Sequence, residues 1–299
     1  MINTAAMIAF PDRCRIVPLS RFTTWRIGGP CAVLFPCDVG ELSAMMEWIA
    51  RENVPWSMLG RGSNLLAPSR GWDGVAVSLQ GPFKGFEIQG REIHAGGGAA
   101  LPTLVGACCS TGLSGMVFAA GIPGTLGGAV FMNAGAYGGD MSGLVVGVQA
   151  VFPGGEIGCL SGEECRFAYR YSIFQDRPGA IYRVTLRLAP GNREELRREA
   201  REVLEKRRNT FPVRVPNAGS VFRRPDDGPP PGRLLEECGL KGRSVGGARF
   251  SPVHANFIEN TGCADSDDVL ALIRLAKEVV LDRTGILLRE EVRVLGGGE

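Results

Sequence analysis

The residues with the clearest potential for chemistry are glycines, which could allow the backbone itself to bind an anion. The sequence contains 43 glycines, and many of them lie in its first half, in the segments 60–62, 96–98, 121–128 and 135–139. Glycine lets the backbone approach a ligand closely and present its N–H groups to a phosphate. One such segment could be a tight turn, whereas several together favour binding of a phosphate-bearing ligand.

Two of these segments have compositions that suit such a ligand. GRGSNLL, residues 60–66, places a hydroxyl and an amide beside its glycines, and it matches neither GxxxxGK[ST] nor GxGxxG. An ATP-binding P-loop and a Rossmann dinucleotide fold are therefore disfavoured. GIPGTLGGAVFMNAGAYGG, residues 121–139, joins a proline-fixed turn to small residues and one amide, Asn133. A flat, charged ligand could lie along this second segment.

Short strands and helices are predicted to hold the glycine segments in place. Asp38 can cap a helix whose apolar residues recur at helical spacing up to Ile49, and residues 56–59 then predict a buried strand leading into Gly60. Further strands are predicted at 75–79, 86–88 and 93–95, and a second helix at 101–108. Glycine turns between the strands favour a mixed sheet with hairpins over a regular Rossmann alternation.

The composition changes after residue 192, where we predict a domain boundary. Residues 145–188 predict short strands, and the charged helix 193–208 connects them to the last hundred residues. There we predict a helix from about Ser266 to Thr284, with Val269, Ile273, Ala276 and Val280 on its apolar face, and a strand over 286–295. Alternation along that strand would place one set of side chains on one face: Leu287, Arg289, Glu291, Arg293 and Leu295.

Length, charge and cysteine usage exclude several classes of protein. The 299 residues exceed the usual size of one hydrophobic core, and a formal net charge of +2 argues against nucleic-acid and membrane-surface partners. Nine cysteines occur without CxxC pairs or Cys/His ligand spacing, which predicts reduced thiols and no metal site. No apolar run could span a bilayer, and the short apolar run around Ala5 to Phe10 lacks a basic start and a small-residue cleavage site, so a cytoplasmic location is expected.

Seven ordered motifs resemble those of the UDP-N-acetylenolpyruvoylglucosamine reductases. The motifs are TTWRIGGP (23–30), GRGSNLL (60–66), GIPGTLGGAVFMNAGAYG (121–138), AYRYSIF (168–174), NAGSVFRRP (217–225), GLKGRSVGGARFSPVHANFIEN (239–260) and EVRVLG (291–296). They cover nearly the whole chain. Any one of them could arise by chance, but seven in order leave little room for coincidence.

The resemblance implies an α+β fold with two domains. A two-part FAD-binding domain of the vanillyl-alcohol-oxidase/p-cresol methylhydroxylase type is expected over 1–192, with subdomains of roughly 1–80 and 81–192, followed by a small α+β substrate-binding domain over 193–299. The resemblance also implies noncovalent FAD, NADPH as hydride donor, and reduction of the enolpyruvyl ether of UDP-N-acetylglucosamine enolpyruvate to UDP-N-acetylmuramate for peptidoglycan. A monomer or weak homo-oligomer is expected.

Residues of the two glycine-rich motifs match the FAD contacts of the family. They are Gly60, Arg61, Gly62, Ser63, Asn64, Gly121, Ile122, Pro123, Gly124, Thr125, Gly127, Gly128, Ala129 and Asn133. The resemblance therefore predicts that these residues bind FAD.

Three residues match the catalytic residues of the family. Arg170 would stabilise the enolate formed beside the substrate carboxylate, Ser220 would donate the proton to the carbanionic carbon, and Glu291 would stabilise or protonate the enol. Each has an alternative structural interpretation: a surface salt bridge for Arg170, a capping turn serine for Ser220, and pairing of Glu291 with its neighbours Arg289 and Arg293.

Tyr169, Arg224, His254 and Asn256 are predicted to contact the substrate, although His254 could equally be a hydrogen-bonded structural histidine. Tyr171 and Val253 stand where many family members have Asp or Asn and Lys, respectively. The interval between Arg170 and Ser220 is too short for the tyrosine-bearing loop of the longer family branch, so the shorter branch is predicted.

Two rival functions remain compatible with a flavin-binding fold. One is a flavin oxidase or dehydrogenase acting on an alcohol or sugar, and the other is a catalytically silent flavin- or nucleotide-binding module. Arg170, Ser220 and Glu291 argue against an oxidase, which has no evident need for all three.

Overall fold

The described chain, residues 2–297 of a computed structural model, combines seven helices with short strands. The helices span Ala5–Ala9, Val39–Arg51, Leu101–Thr111, Leu126–Phe131, Arg193–Thr210, Pro231–Glu237 and Ser266–Thr284. None of them combines the length and the apolar character needed to cross a membrane within residues 2–297.

The N-terminal part is a four-stranded mixed sheet covered by the helix Val39–Arg51. The strands lie in the order Cys14–Pro18, Pro30–Leu34, Val75–Val77 and Trp56–Met58. The Asp38 side chain accepts a hydrogen bond of 2.8 Å from the Glu41 backbone N–H, so the predicted helix cap is confirmed. Such a cap satisfies a backbone donor that the first helical turn leaves free.

The second part is a five-stranded antiparallel sheet, as the predicted hairpins require. Its strands lie in the order Ile157–Ser161, Val145–Val151, Ala180–Arg187, Glu92–Gly96 and Phe86–Gln89. The helix Leu101–Thr111 packs into the core beside this sheet, and so does Leu196 of the helix Arg193–Thr210. That helix thus contacts the second part of the chain, and the boundary at residue 192 stays a prediction.

The C-terminal part packs the helix Ser266–Thr284 against a three-stranded antiparallel sheet of Ser244–Val245, Ala248–Phe250 and Ile258–Asn260. The apolar face predicted for this helix is buried at Val269, Ile273, Ala276 and Val280. Its core also contains Trp25, Ile27 and Leu66 from the N-terminal part. The two ends of the chain therefore share one hydrophobic core.

The strand predicted over 286–295 is wrong for most of its length. Only Arg293–Val294 forms a strand, parallel to Leu65–Leu66, while Glu290 makes a single bridge to Phe222. The segment exchanges partners midway, because the backbone N–H of Glu291 donates to Val221 O and that of Arg293 donates to Asn64 O. Because each neighbour bonds to only one part of the segment, no continuous ladder forms along it.

Two further strand pairs complete the sheets. They are Gly135–Ala136 with Gly139–Asp140 and Leu113–Ser114 with Ala189–Pro190.

Trp25 joins the N-terminal and C-terminal parts, and its replacement should be costly. The side chain is fully buried, and its indole Nε1 donates a 2.7 Å hydrogen bond to Ile258 O. Trp25→Ala should lower the free energy of unfolding by about 3–5 kcal/mol because it leaves a cavity. Trp25→Phe should cost about 1–3 kcal/mol because it leaves the carbonyl without a donor. Urea denaturation measures both, and an unchanged midpoint for Trp25→Phe would refute the second expectation.

Candidate active site

The predicted catalytic and substrate-binding residues line one cleft of about 610 Å³. Its walls come from a turn between the strands Ile157–Ser161 and Ala180–Arg187 of the five-stranded sheet and from the C-terminal part of the chain. The seven predicted residues that line it are Tyr169, Arg170, Ser220, Arg224, His254, Asn256 and Glu291. The fold brings together residues as distant in sequence as Arg170 and Glu291, which lie 121 positions apart.

Arg170 and Glu291 form an ion pair inside this cleft. Arg170 Nε donates to Glu291 Oε1 at 2.8 Å, and the two side chains are only 22% and 15% exposed. A second guanidinium nitrogen, Nη2, donates to Gly135 O at 3.0 Å. The structure thus gives Glu291 a partner from another element in place of the flanking Arg289 and Arg293. The surface salt bridge considered for Arg170 is also not what is observed.

Burial changes the chemistry of Glu291 more than its partner does. Removal from water raises the pKa of the Glu291 carboxyl, and the nearby positive charge of Arg170, which lowers it, only partly offsets this effect. The Glu291 carboxyl therefore keeps its proton to a higher pH than the carboxyl of an exposed glutamic acid does. The cleft combines a permanently charged guanidinium with a carboxyl that can carry a proton, the two groups needed to stabilise and quench a negative charge.

Ser220 is held at the cleft by a defined turn. Gly219 has a φ of +78°, and its N–H donates to Asn217 Oδ1 at 2.9 Å. Phe222, two residues after Ser220, exchanges two hydrogen bonds with the side-chain amide of Asn256, at 3.0 and 2.9 Å. Because Val221 O also accepts from the Glu291 N–H, Ser220 and Glu291 are carried by directly bonded segments.

Asn256 and His254 have mainly structural contacts. Asn256 is 4% exposed, and its amide is engaged with the Phe222 backbone. The His254 ring lies 5.4 Å from the Phe211 ring and 5.1 Å from the Phe257 ring, and burial lowers the pKa of His254. Its Nδ1 accepts a bond from the Asn256 N–H, as a neutral imidazole can. Substrate contact by these two residues stays a prediction.

The mouth of the cleft carries more exposed side chains. Tyr169 is 55% exposed, its hydroxyl accepts a weak 3.4 Å contact from the Arg224 N–H, and its ring lies 5.0 Å from Arg170 Cζ. Val253, also at the mouth, is 52% exposed. Tyr171 donates its hydroxyl to Asp176 Oδ2 at 2.5 Å. A valine offers no charge for a substrate phosphate at this point. The cleft is also lined by Arg224 and by Arg233, which is paired with Glu237 at 2.7 Å.

The two glycine-rich segments predicted to bind a cofactor face each other. Ser63 Oγ donates to Pro123 O at 2.6 Å, and a Cβ added at Gly60 would lie 2.8 Å from Thr125 Oγ1. A side chain at Gly60 would therefore fill the space between the segments. Gly60, Arg61, Pro123 and Gly128 are exposed, whereas Gly62, Gly127, Ala129 and Asn133 are buried. A glycine-lined backbone cradle of this kind fits a pyrophosphate-bearing cofactor.

The cofactor segments and the cleft are directly connected. Asn64 Nδ2 donates to Glu291 O at 3.0 Å, and Asn133 Nδ2 donates to Ala168 O at 2.9 Å, two residues before Arg170. Asn133 is only 2% exposed and also accepts from the Ser142 N–H, so its amide is engaged within the protein. Direct contact of this amide with a cofactor stays a prediction.

Sequence reasoning did not find three residues that organise the site. Asn217 holds the turn before Ser220, Gly135 accepts from Arg170 through its carbonyl, and Gln175 donates to Arg170 O at 2.9 Å. Each of these bonds involves a backbone N–H or carbonyl on one side, and backbone groups leave little signature in residue types. Within residues 2–297, no cluster of three or more His, Cys, Asp or Glu side chains is arranged to hold a metal ion.

Comparisons with known proteins define the class of this site. Residues 30–160 match a family model described as an FAD-binding domain, and residues 211–295 match that of the UDP-N-acetylenolpyruvoylglucosamine reductase C-terminal domain. The first match covers the four-stranded sheet from its second strand onward together with both glycine-rich segments. The chain is therefore an FAD-dependent oxidoreductase.

Close relatives identify the family. UDP-N-acetylenolpyruvoylglucosamine reductase of Heliobacterium modesticaldum is 44% identical, over 94% of this chain and 91% of the relative, and that of Bacillus subtilis is 40% identical, over 94% and 93%. The crystal structure of the Thermus caldophilus enzyme matches 94% of this chain and 98% of that one with a TM-score of 0.83 at 35% identity. The chain belongs to the UDP-N-acetylenolpyruvoylglucosamine reductase family, which acts in peptidoglycan precursor synthesis. The predicted resemblance, fold class and FAD cofactor are confirmed.

The raised pKa of Glu291 should make stability depend on pH in a specific direction. Below the ordinary value of 4.5 the carboxyl is protonated in both states. As the pH rises above it, the unfolded chain releases this proton first, so the contribution of Glu291 to folding is progressively lost until the folded carboxyl also ionises. Glu291→Gln removes this titration. The unfolding free energy of Glu291→Gln, relative to that of the unsubstituted protein, should therefore increase with pH between 4.5 and the raised pKa of the folded carboxyl. Urea titrations at several pH values measure it. The opposite slope would show that the Arg170 pair outweighs burial.

Proposed function

We propose that this chain transfers reducing equivalents from NADPH to UDP-N-acetylglucosamine enolpyruvate, with Arg170, Ser220 and Glu291 as its catalytic residues. Noncovalently bound FAD would accept hydride from NADPH and deliver it to the enolpyruvyl ether. The product is UDP-N-acetylmuramate. The observation that carries the proposal is the convergence of these three side chains on one cleft that adjoins the cofactor segments.

The residues of the cleft have separate tasks in this reaction. Arg170 would hold the substrate carboxylate and stabilise the negative charge that develops on it when hydride adds to the double bond, before protonation. Ser220 Oγ donates a proton to the carbanionic carbon. Glu291 keeps the guanidinium in position through its 2.8 Å contact, and its raised pKa suits it to share a proton with the enol oxygen. Arg224 at the mouth suits the diphosphate of the sugar nucleotide.

The proposed enzyme has two domains and belongs to the shorter family branch. We assign residues 1–192 to the FAD-binding domain, with subdomains of roughly 1–80 and 81–192, and 193–299 to substrate binding. Between Arg170 and Ser220 the described chain contains only turns, the strands Ala180–Arg187 and Ala189–Pro190 and the helix Arg193–Thr210, which supports the shorter family branch. A cytoplasmic enzyme, as a monomer or weak homo-oligomer, fits a UDP-sugar substrate.

An anaerobic experiment tests the function. The purified yellow protein is mixed with NADPH, and UDP-N-acetylglucosamine enolpyruvate is then added to the bleached flavin. Rapid return of the yellow colour, with formation of UDP-N-acetylmuramate, is the expected result. Bleaching without reoxidation by this substrate would indicate a silent module. Colour that stays with acid-precipitated protein would reveal a covalent flavin and favour an oxidase.

Ser220→Ala should separate the two half-reactions. Bleaching by NADPH should proceed at the unsubstituted rate, because it needs no proton from Ser220. Reoxidation by the enolpyruvyl substrate should slow by about 10²–10⁴-fold, the usual contribution of a positioned proton donor. Stopped-flow absorbance of the flavin measures both rates. Ser114→Ala, a half-buried serine bonded to Ala189 O, is the control and should leave both unchanged. Equal loss in both half-reactions for Ser220→Ala would contradict the assigned role.

A further inference from the structure

We propose that Gln175 is a positioning residue for Arg170, holding the peptide that carries the guanidinium against the cofactor segment. This inference rests on the proposed role of Arg170. Gln175 ends a short helical turn, Ile173–Gln175, and does not line the cleft in the described chain. It can therefore influence the reaction only through the residues that it contacts.

The side-chain amide of Gln175 bridges two backbone carbonyls. Nε2 donates to Arg170 O at 2.9 Å and to Phe131 O at 3.2 Å. Both acceptors are carbonyl oxygens, so only the NH₂ end of the amide can face them, and both of its protons are used. One side chain thus connects the carbonyl of Arg170 to the end of the helix Leu126–Phe131, which lies within the glycine-rich cofactor segment.

The peptide that Gln175 holds has an unusual conformation. Arg170 has a φ of +55°, in the left-handed region that residues with a side chain rarely adopt. It lies at the tip of a turn closed by two reciprocal 3.1 Å bonds between Ala168 and Tyr171. Those bonds leave the carbonyl of Arg170 to Gln175. A disfavoured conformation persists only where surrounding contacts determine it, and this donor is one of those contacts.

Other bonds attach the same turn to the cofactor segment, which makes the direction of the guanidinium sensitive to Gln175. Asn133 Nδ2 donates to Ala168 O, Ser172 Oγ donates to Phe131 O at 2.8 Å, and Arg170 Nη2 donates to Gly135 O. These bonds fix the residues on either side of Arg170 and the guanidinium end of its side chain. The Gln175 bond fixes the peptide between them, so its loss lets that peptide rotate and displaces the guanidinium from the enolate position.

Gln175→Met tests the proposal, because methionine has a similar shape but no donor. Reoxidation of the reduced flavin by the enolpyruvyl substrate should slow by roughly 10–100-fold, the effect of a small misplacement of a charge-stabilising group. The KM for this substrate and the rate of bleaching by NADPH should stay within about twofold, because a guanidinium displaced this little still binds the carboxylate in the ground state. Gln175→Lys, which keeps a donor, should recover most of the rate. Gln149→Met, at a half-buried glutamine on the strand Val145–Val151, is the control and should be unaffected.

A double-mutant cycle with Arg170→Lys separates this inference from the proposed function. If Gln175 acts through Arg170, Gln175→Met should slow reoxidation much less in the Arg170→Lys background than alone. An equal slowing in both backgrounds, or a Gln175→Met enzyme as fast as the unsubstituted one, would overturn the inference while Arg170→Lys alone stays slow. A fast Arg170→Lys enzyme would instead overturn the proposed function.

A second pair of variants protects the test against misfolding. If Gln175→Met does not fold, Gln175→Glu is compared with Gln175→Lys at matched thermal midpoints. The carboxylate of Gln175→Glu would face two carbonyl oxygens. The enolpyruvyl substrate should therefore reoxidise the flavin of this variant more slowly than that of Gln175→Lys, and equal rates would overturn the inference.

Discussion

A charge pair removed from water is the constraint on which the site depends. Arg170 lies in a turn between the strands Ile157–Ser161 and Ala180–Arg187 of the second sheet and Glu291 lies near the end of the chain, and they meet at 2.8 Å with little exposure. Without Arg170, the Glu291 carboxyl would lose the positive charge that partly offsets its burial. The pair therefore ties the C-terminal segment to the sheet that carries Arg170, and it does so at the point where the proposed chemistry needs a cation.

The same pair explains why the cofactor segments and the cleft form one unit. The backbone of Glu291 bonds to Val221 on one side and to Asn64 on the other. The turn of Arg170 bonds to Asn133 and Gly135 of the second glycine-rich segment. Each half of the ion pair is thus attached to a different cofactor segment. A ligand bound between those segments would have the guanidinium and the carboxyl fixed relative to it, which is the preorganisation that charge stabilisation requires.

Local sequence signals predicted the elements whose formation depends on neighbouring residues. The Asp38 cap and the apolar face of the helix Ser266–Thr284 follow from patterns within one or two turns, and the structure has both. The proximity of Arg170, Ser220 and Glu291 cannot be obtained in that way. Those residues are separated by 50 and 71 positions, and only the resemblance of whole motifs to a known family placed them together. Gln175 and Asn217 escaped notice because amides that bond to carbonyls or N–H groups have no distinctive spacing.

The incorrect strand over 286–295 shows why local reasoning fails at a site. Alternation of side chains was a sound argument for a strand with one partner, but this segment bonds first to the backbone around Phe222 and then to Leu65–Leu66. The change of partner falls at Glu291, whose N–H and carbonyl serve two different segments. Through these two bonds the segment joins the Ser220 turn to the Asn64 loop. The irregular backbone is thus the feature that connects the proposed proton donor, the ion pair and the glycine-rich segments predicted to bind FAD, and functional sites are where such departures from local rules are expected.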